Sequence, residues 1–529
     1  MNCSTVSEYF ERNRFAMLLQ CLVVILVLLL IIDRWKPKKL VKIHKQLGND
    51  FTYWPIFGHA LEFVGSTEDG MTKIMQFSSQ AFKRKHQAVS LWLGNFFFVA
   101  LTDADQSCFM LKSVSDKNFI WKFTKNFLGN GIVFAPVDIW HRRRKVIITA
   151  FAPRYVNKFV RIFDERSKVL AEQLESQVGK GDFSCYDYVC PYALESVCET
   201  LFGLNIDIQR HKEHPFFKAM RASLTNVAVR LFRPWLHIDA IYKLLPMYTR
   251  ERRETKIVHD FVDNLILRKK SLIDEQNKAG EQFDNQTIKT FLELLIDNSN
   301  DTDKGYTDEE LREETLALAI AGSDTSAVGT CFAILLLSQH MDVQDKIYRE
   351  IQEVLGDTDK TLEAEDLMKF NYLRAVIKET LRLYPPVPIT VRYLKKDLEL
   401  PTGITLPEGS NVVTSIWGIH RNPRHWGDDA NVFNPDRFLP GKASQPNAFM
   451  PFSYGPRSCP GYQYAMFSMS TTLINLLRRY RIKPASNYKY DENNPLRVSF
   501  EVMMIHVNNF SVQIEYRNEP NKNKKSEEM

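Results

Sequence analysis

The hydrophobic pattern divides this chain into one long apolar run, a short β-prone stretch and a long succession of helical segments. Residues 15–32 are apolar at every position except Gln20. That length approaches what an α-helix needs to cross a bilayer. The run is longer than the core of a usual secretory signal, and no small-residue cleavage site follows it. Arg34, Lys36, Lys38 and Lys39 follow instead, with Trp35 at interfacial depth, while Glu8 and Glu11 offset Arg12 and Arg14 in front. Cations on that flank keep the following domain in the cytosol. The pattern predicts a lumenal segment over 1–14, an uncleaved anchor over 15–32, a basic linker over 33–58, a large domain over 59–517 and a polar tail over 518–529. In this topology the acceptor patterns at Asn285, Asn300 and Asn509 carry no glycan.

Residues 89–101 hold two β-prone runs around Gly94-Asn95, the signature of a hairpin. From about Asp103 onward helical spacing dominates. A basic amphipathic helix opens near Ile139 with Arg142, Arg143, Arg144 and Lys145. Residues 186–270 read as several helices carrying aromatic clusters at Phe216-Phe217 and over 231–236. After a polar linker over 298–304, Thr307 and Glu310 form a capping box for an apolar helix running to about His340. A compact helix over 371–383 stops at Pro385-Pro386, and 387–392 and 398–413 read as short strands.

Composition narrows the picture without changing it. The 529 residues are 44% hydrophobic and 25% charged, with a net charge of +6, ordinary for a globular protein and too modest to mark a nucleic-acid binder. The eight cysteines include no Cys-x-x-Cys pair, which points away from zinc and from a disulfide framework. No histidine lies among Cys185, Cys190 and Cys198, which read as core and surface thiols.

Three places carry chemistry. In 452–461, Cys459 follows a turn-forming segment and precedes a helical run from about Tyr462. A thiolate there is a soft anionic metal ligand, stabilised by the positive end of the helix. Gly455 and Gly461 allow close backbone approach, Pro460 suits a first helical position, and Arg457 can pair with an anion. The bland alternative is an inert buried cysteine. In the long apolar helix, Gly322, Ser323, Asp324, Thr325 and Ser326 run against local propensity, as functional sites do. Hydroxyls that bond back one turn explain Thr325 and Ser326 but not Asp324. Finally, Glu379 and Arg382 lie three apart on one helix ahead of Asn434, Pro435, Asp436, Arg437 and Phe438.

The pattern of Phe452, Gly455, Arg457, Cys459 and Gly461 resembles the haem-binding loop of the cytochrome P450 family at every defined position. The resemblance implies a mainly α fold with a small β-rich region, preceded by one transmembrane helix. It implies haem b with Cys459 as the axial iron ligand and Phe452 shielding the sulfur. Trp140, Arg144, Arg392 and Arg457 would hold the propionates. Asp324 and Thr325 would deliver protons to oxygen, with Gly322 leaving room for it. Glu379, Arg382 and Arg437 would form a buried triad that locks the Cys459 loop. Arg142, Arg143 and Lys145 would face an acidic redox partner. Ala321 stands where some relatives carry a haem-esterified glutamate, so the haem should be non-covalent.

By the same resemblance the chain is a monooxygenase of the endoplasmic reticulum membrane, similar to the microsomal animal branch that includes fatty-acid ω-hydroxylases. NADPH–cytochrome P450 reductase supplies electrons, with cytochrome b5 as a further donor. Residues near Phe119 to Phe127, Phe216 to Trp235, Ile389 to Val391 and Phe500 to Met503 would line the pocket of a lipophilic substrate, whether fatty acid, sterol, pheromone or foreign toxin. Two rivals stand beside this reading: a reductase-independent isomerase or dehydratase of lipid peroxides, against which the Asp324-Thr325 pair argues, and a non-catalytic haem-binding protein. Ser326, the sparse hinge after the anchor, and Pro460 and Tyr462 depart from common relatives.

Overall fold

The computed structural model describes scattered positions from 15 to 31 and then residues 33–211, 213–279, 289–299, 305–356, 358, 360–442, 446–486 and 496–517. The 1–14 and 518–529 segments and the acceptors Asn285 and Asn300 lie outside the described residues. The described positions between 15 and 31 are helical, with apolar side chains left uncovered, such as Phe15 at 70% exposed.

The chain then folds against itself at once. Helix α1 (Lys38–Leu47) buries Leu40, Ile43 and Leu47. The Lys36 ammonium lies 4.5 Å from the Trp92 ring centroid and 4.6 Å from that of Tyr53, and the Tyr53 hydroxyl donates to Asp33 at 2.9 Å. The sparse hinge is therefore a packed junction.

Helix α2 (Thr67–Lys83) precedes the hairpin of β1 (Ala88–Leu93) and β2 (Phe96–Leu101), where Leu93 pairs with Phe96 and Gly94 turns at φ +57°. Strand β2 continues into a sheet with distant segments. It runs parallel to β4 (Asn411–Ser415), which pairs antiparallel with β3 (Ile389–Tyr393). Between hairpin and outer strands come α3 (Ala104–Ser113), α4 (Asn118–Leu128), α5 (Val137–Ala150), α6 (Pro153–Glu175), α7 (Tyr186–Phe202), α8 (Pro215–Phe232), α9 (Pro246–Lys278), α10 (Asp308–Gln339) and α11 (Asn371–Leu383). Helix α12 (Tyr462–Arg479) follows the cysteine loop, and the short strand Val498–Glu501 pairs with Met503–His506.

Helix α10 organises the core. It begins at the expected capping box: the Glu310 amide donates to Thr307 Oγ1 at 3.2 Å and the Thr307 amide to Glu310 Oε2 at 3.1 Å. By length and composition it could cross a membrane, yet 83% of its most apolar window is buried, with α7 and α12 packed on it. Burial all round is what a helix without a polar face requires.

Candidate active site

Cys459 is placed by a lock built on α11. Arg382 donates to both oxygens of Glu379 at 2.7 Å, and both residues are fully buried. Such a fork is the strong form of a charge pair. Arg382 also donates to the carbonyls of His420 at 2.7 Å and Ala430 at 2.6 Å. Glu379 Oε1 accepts the Asn434 amide at 2.9 Å and lies 3.5 Å from Arg437 Nε. Arg437 in turn reaches the Asp429 carboxylate at 2.5 Å. The predicted triad is thus one assembly. His420, which sequence reasoning missed, extends it: one ring nitrogen meets the Arg382 carbonyl at 3.0 Å and the other accepts the Met450 amide at 2.9 Å. Burial first, then the Arg382 charge, pushes the His420 pKa down to about 3, so the ring stays neutral.

Beyond Met450 the loop tightens. The Cys459 amide donates to the Phe452 carbonyl at 2.9 Å, and Ser453 adopts φ +62°. Gly455 has φ +74°, and a β-carbon there would sit 2.4 Å from the Leu111 carbonyl oxygen, so only glycine fits. The Phe452 ring meets Tyr462 edge-on at 4.8 Å. Pro460 is not the first helical residue. Gly461 occupies the N-cap position and α12 starts at Tyr462. Among the described cysteines only Cys459 is exposed, yet burial raises its pKa, opposed by the Gly461 amide and Arg144. A thiol both accessible and surrounded by protein marks an interior hollow.

Helix α10 shows a second opening. From Glu313 to Ser338 every residue is buried except Ala321, Gly322 and Thr325, which share one helical face. Thr325 Oγ1 donates back to the Ala321 carbonyl at 2.6 Å. A β-carbon on Gly322 would lie 2.9 Å from Val197 of α7, so this glycine also lets that helix approach. Asp324 is buried and accepts the Tyr186 hydroxyl. Burial raises its pKa to about 6, against the Tyr186 hydrogen bond and the Arg221 charge.

Four cations gather near Cys459, and among the described residues the one carboxylate that acts on them, Asp116 on Arg457, is itself paired with Lys395. Lys117, Arg144, Arg392 and Arg457 come from the α4 approach, α5, β3 and the cysteine loop. Burial and then Arg392, Arg457 and Arg144 hold the Lys117 ammonium well below its usual range. Burial and Arg457 lower Arg392 to about 9, and Arg457 itself falls to about 10, chiefly by burial. Buried guanidinium nitrogens remain unbonded: Arg144 Nε, Arg392 Nη2, and Arg457 Nε and Nη1. Arg457 keeps one bond, to the Ala135 carbonyl at 2.7 Å, and lies 4.6 Å from the Trp140 ring centroid. Buried, unbonded cations are costly unless an anion completes them. Two carboxylates beside a thiolate ligand would do so, which is the donor set a haem requires. Lys117 had no signal of its own in sequence.

Arg143 departs from expectation. Its side chain is 1% exposed and pairs with Glu313 at 3.0 Å and Glu314 at 2.7 Å on α10, while Arg142 pairs with Glu310. The basic face of α5 therefore neutralises the acidic start of α10 and does not present Arg143 to a partner. An apolar passage of about 60 Å³ lies between the sheet, α2, α4 and α8, with Phe77, Phe119, Leu231, Phe232, Ile389 and Val391 among its walls. Phe216 is core, with its ring tilted against that of Phe261 at a centroid distance of 4.4 Å, and Phe500 packs 5.6 Å from Phe232.

Comparison with known proteins agrees with this geometry. Residues 49–509 match the family model described as Cytochrome P450. The chain is 31% identical over 448 residues to cytochrome P450 4V2 of Pongo abelii, covering 83% of this chain and 84% of that one. It is 32% identical over 440 residues to cytochrome P450 4c21 of Blattella germanica, covering 81% and 86%, and 30% identical over 448 residues to cytochrome P450 4d2 of Drosophila melanogaster, covering 81% and 87%. The chain belongs to the cytochrome P450 family, as a monooxygenase similar to its family 4 members.

Proposed function

We propose that this chain is a membrane-anchored haem-thiolate monooxygenase of the endoplasmic reticulum that hydroxylates a slender lipophilic compound. Its electrons come from NADPH through a flavoprotein reductase. The observation that carries the substrate class is the narrow passage between Phe119, Leu231 and Ile389, whose walls are almost wholly apolar. A linear aliphatic chain suits that shape better than fused rings. The anchor reading is supported by the uncovered apolar side chains between 15 and 31 and the cations after them.

Haem, when bound, supplies the iron and the oxygen chemistry, and the protein supplies position and charge. Cys459 would hold the iron through its sulfur. Lys117, Arg144, Arg392 and Arg457 would hold the propionates, with the Trp140 ring against Arg457. Glu379, Arg382, Arg437 and His420 fix the loop. Near neutral pH Asp324 exchanges a proton readily, as a group delivering protons must. Arg221 links that region to solvent, reaching Glu501 at 3.3 Å and Asn509 at 3.0 Å, and Asn509 reaches the exposed Asp187 at 3.2 Å. The Asn509 amide is thus engaged in packing, in keeping with an acceptor that stays unglycosylated.

A reduced carbon-monoxide difference spectrum, then spectral titration with straight-chain acids and sterols, tests this reading. A thiolate-type Soret band, a spin shift with the chain compounds, and product dependent on NADPH and reductase are expected. A Soret band without thiolate character would sink the assignment, and tighter binding of sterols would overturn the substrate class.

A further inference from the structure

A wide cavity lies outside the site described above. About 740 Å³ in volume, it sits between α4, the short helix Asp239–Lys243, α9 and the start of α10. Its lining is strongly ionic, and the acids are already used. Asp239 pairs with Arg230 at 3.1 Å, Asp260 with Lys256 at 2.8 Å and Asp263 with Arg312 at 2.5 Å, while Glu251 accepts the Tyr242 hydroxyl. Lys122, Lys243 and Arg252 also line the cavity, and none of them has a carboxylate partner among the described residues. Thr255 adds a buried hydroxyl with no hydrogen-bond partner. Among the described residues Lys122 donates only to the His237 carbonyl at 3.4 Å, and cations without a carboxylate converging with a free hydroxyl on one concave surface suit an anion with several acceptor oxygens.

The rim adds a second, independent feature. Around the short helix, Asp239, Tyr242 and Lys243 face the cavity, while Ile238, Ile241 and Leu244 are exposed, Leu244 at 85%. This apolar ridge adjoins another. Trp235 meets Phe57 at 6.0 Å, and Phe57, Trp54, Leu61 and Val64 are exposed as well. Contiguous exposed apolar surface of this kind marks an interaction site. A basic cavity edged by it calls for a ligand with an anionic head and an apolar body.

We infer that this cavity binds the phosphate headgroup of an anionic phospholipid, with Lys122, Lys243, Arg252 and Thr255 around the phosphate and the acyl part along Ile238, Ile241 and Leu244. The site shares walls with the apolar passage. Phe119 of α4 and Leu231 of α8 face the passage, while Lys122 and Arg230 of the same helices face the cavity. An occupant therefore bears on the spacing of the two helices that border the substrate route.

The test titrates the haem-loaded full chain in detergent with dioctanoyl phosphatidic acid, dioctanoyl phosphatidylcholine and glycerol 3-phosphate, read by thermophoresis. Phosphatidic acid is expected to bind roughly tenfold tighter than either control, and Lys243→Glu with Arg252→Glu to remove that preference. Both side chains are exposed, so the fold should tolerate the change. Lys158→Glu, an equal charge reversal at an exposed position on α6, should leave it intact. Equal binding of phosphatidylcholine would reduce the site to an apolar ridge, and equal binding of glycerol 3-phosphate would make the ligand a soluble phosphate. An equal loss in Lys158→Glu would leave only diffuse charge. Each of these results, or no binding at all, overturns the proposal.

Discussion

Glu379→Ala gives the sharpest test of how the cysteine loop is held. The carboxylate accepts two N–H groups of Arg382 at 2.7 Å and the Asn434 amide at 2.9 Å, and neutralises Arg382 in a fully buried position. Alanine leaves the guanidinium buried, because its bonds to the His420 and Ala430 carbonyls still hold it in place. An uncompensated buried charge costs about 3–5 kcal/mol. The orphaned Asn434 amide adds about 1–3 kcal/mol. The sum is comparable with the roughly 5–15 kcal/mol that stabilises a whole domain. The loss falls first on the segment joining Arg382 through His420 to Met450, nine residues before Cys459. Even about 3 kcal/mol shifts the balance between closed and open loop by roughly a hundredfold. Haem content per protein, measured after purification alongside circular dichroism, is the assay. Glu379→Ala should retain helix and lose most of its haem. Glu379→Gln, which keeps one acceptor and abolishes the charge, should fall between it and the parent. Parental haem content together with an unchanged unfolding midpoint in the alanine variant would refute the reasoning.

Three further outcomes follow from the charges. Lys117→Met should act with opposite signs on the two forms, raising the unfolding midpoint of the apoprotein and speeding haem transfer to apomyoglobin by roughly tenfold, the worth of one charged hydrogen bond; unchanged transfer would remove Lys117 from the site. Burial, opposed by Arg143, raises Glu314 from the usual 4.5 to about 7. The folded state therefore holds this proton more tightly, and the stabilisation present below about pH 4.5 is lost as pH rises through about 7. Glu314→Gln should thus gain stability over the parent by up to about 3 kcal/mol between pH 5 and pH 8, and a pH-independent loss in denaturant melts would contradict it. Tyr186→Phe removes the hydrogen bond that favours the Asp324 anion. The pH profile of product formed per NADPH should then shift upward, with more peroxide released, and superimposable profiles would show that Tyr186 does not govern Asp324.

Local chemistry was legible in the sequence and long-range company was not. The capping box lies within a few residues and spacing alone exposes it, while the Glu379–Arg382 pair and the Cys459 turn stand out through the resemblance of their motifs to the family's. Lys117 sits in an ordinary polar stretch, and its significance arises only when β3 and the cysteine loop arrive beside it. His420 is equally silent, because both of its partners are backbone groups. Arg143 was misread for a physical reason. A run of cations normally faces solvent, but Glu310, Glu313 and Glu314 recur on one face of α10 and supply the counter-charge. A β-carbon on Gly322 would meet Val197, so helix packing needs this glycine as well, a demand that the sequence does not announce.

The two halves of the site are stabilised in opposite ways, and that ordering bears on assembly. The Glu379 lock is closed by the protein itself, with Glu379 and Arg382 paired and Arg382 also donating to backbone carbonyls. It can form before any cofactor arrives. The cation cluster is the reverse: Arg144, Arg392 and Arg457 keep buried nitrogens unbonded, and each depresses the charge of a neighbour. Within the described residues they are met only by neutral groups, such as the Val133 carbonyl for Lys117 and the Ala135 carbonyl for Arg457, and by the Asp116 charge acting on Arg457. A chain that had to gather four cations around a ligand after binding would spend much of the binding energy on ordering them. Here Arg144 and Arg392 are fixed on a helix and a strand, so part of the repulsion is set up in advance and is relieved when two carboxylates enter. Haem binding should therefore stabilise the α5–β3 side of the site far more than the α11 side. Hydrogen exchange comparing apo and loaded protein would show protection gained around Lys117 and Arg144, with little change at Glu379 and Arg382.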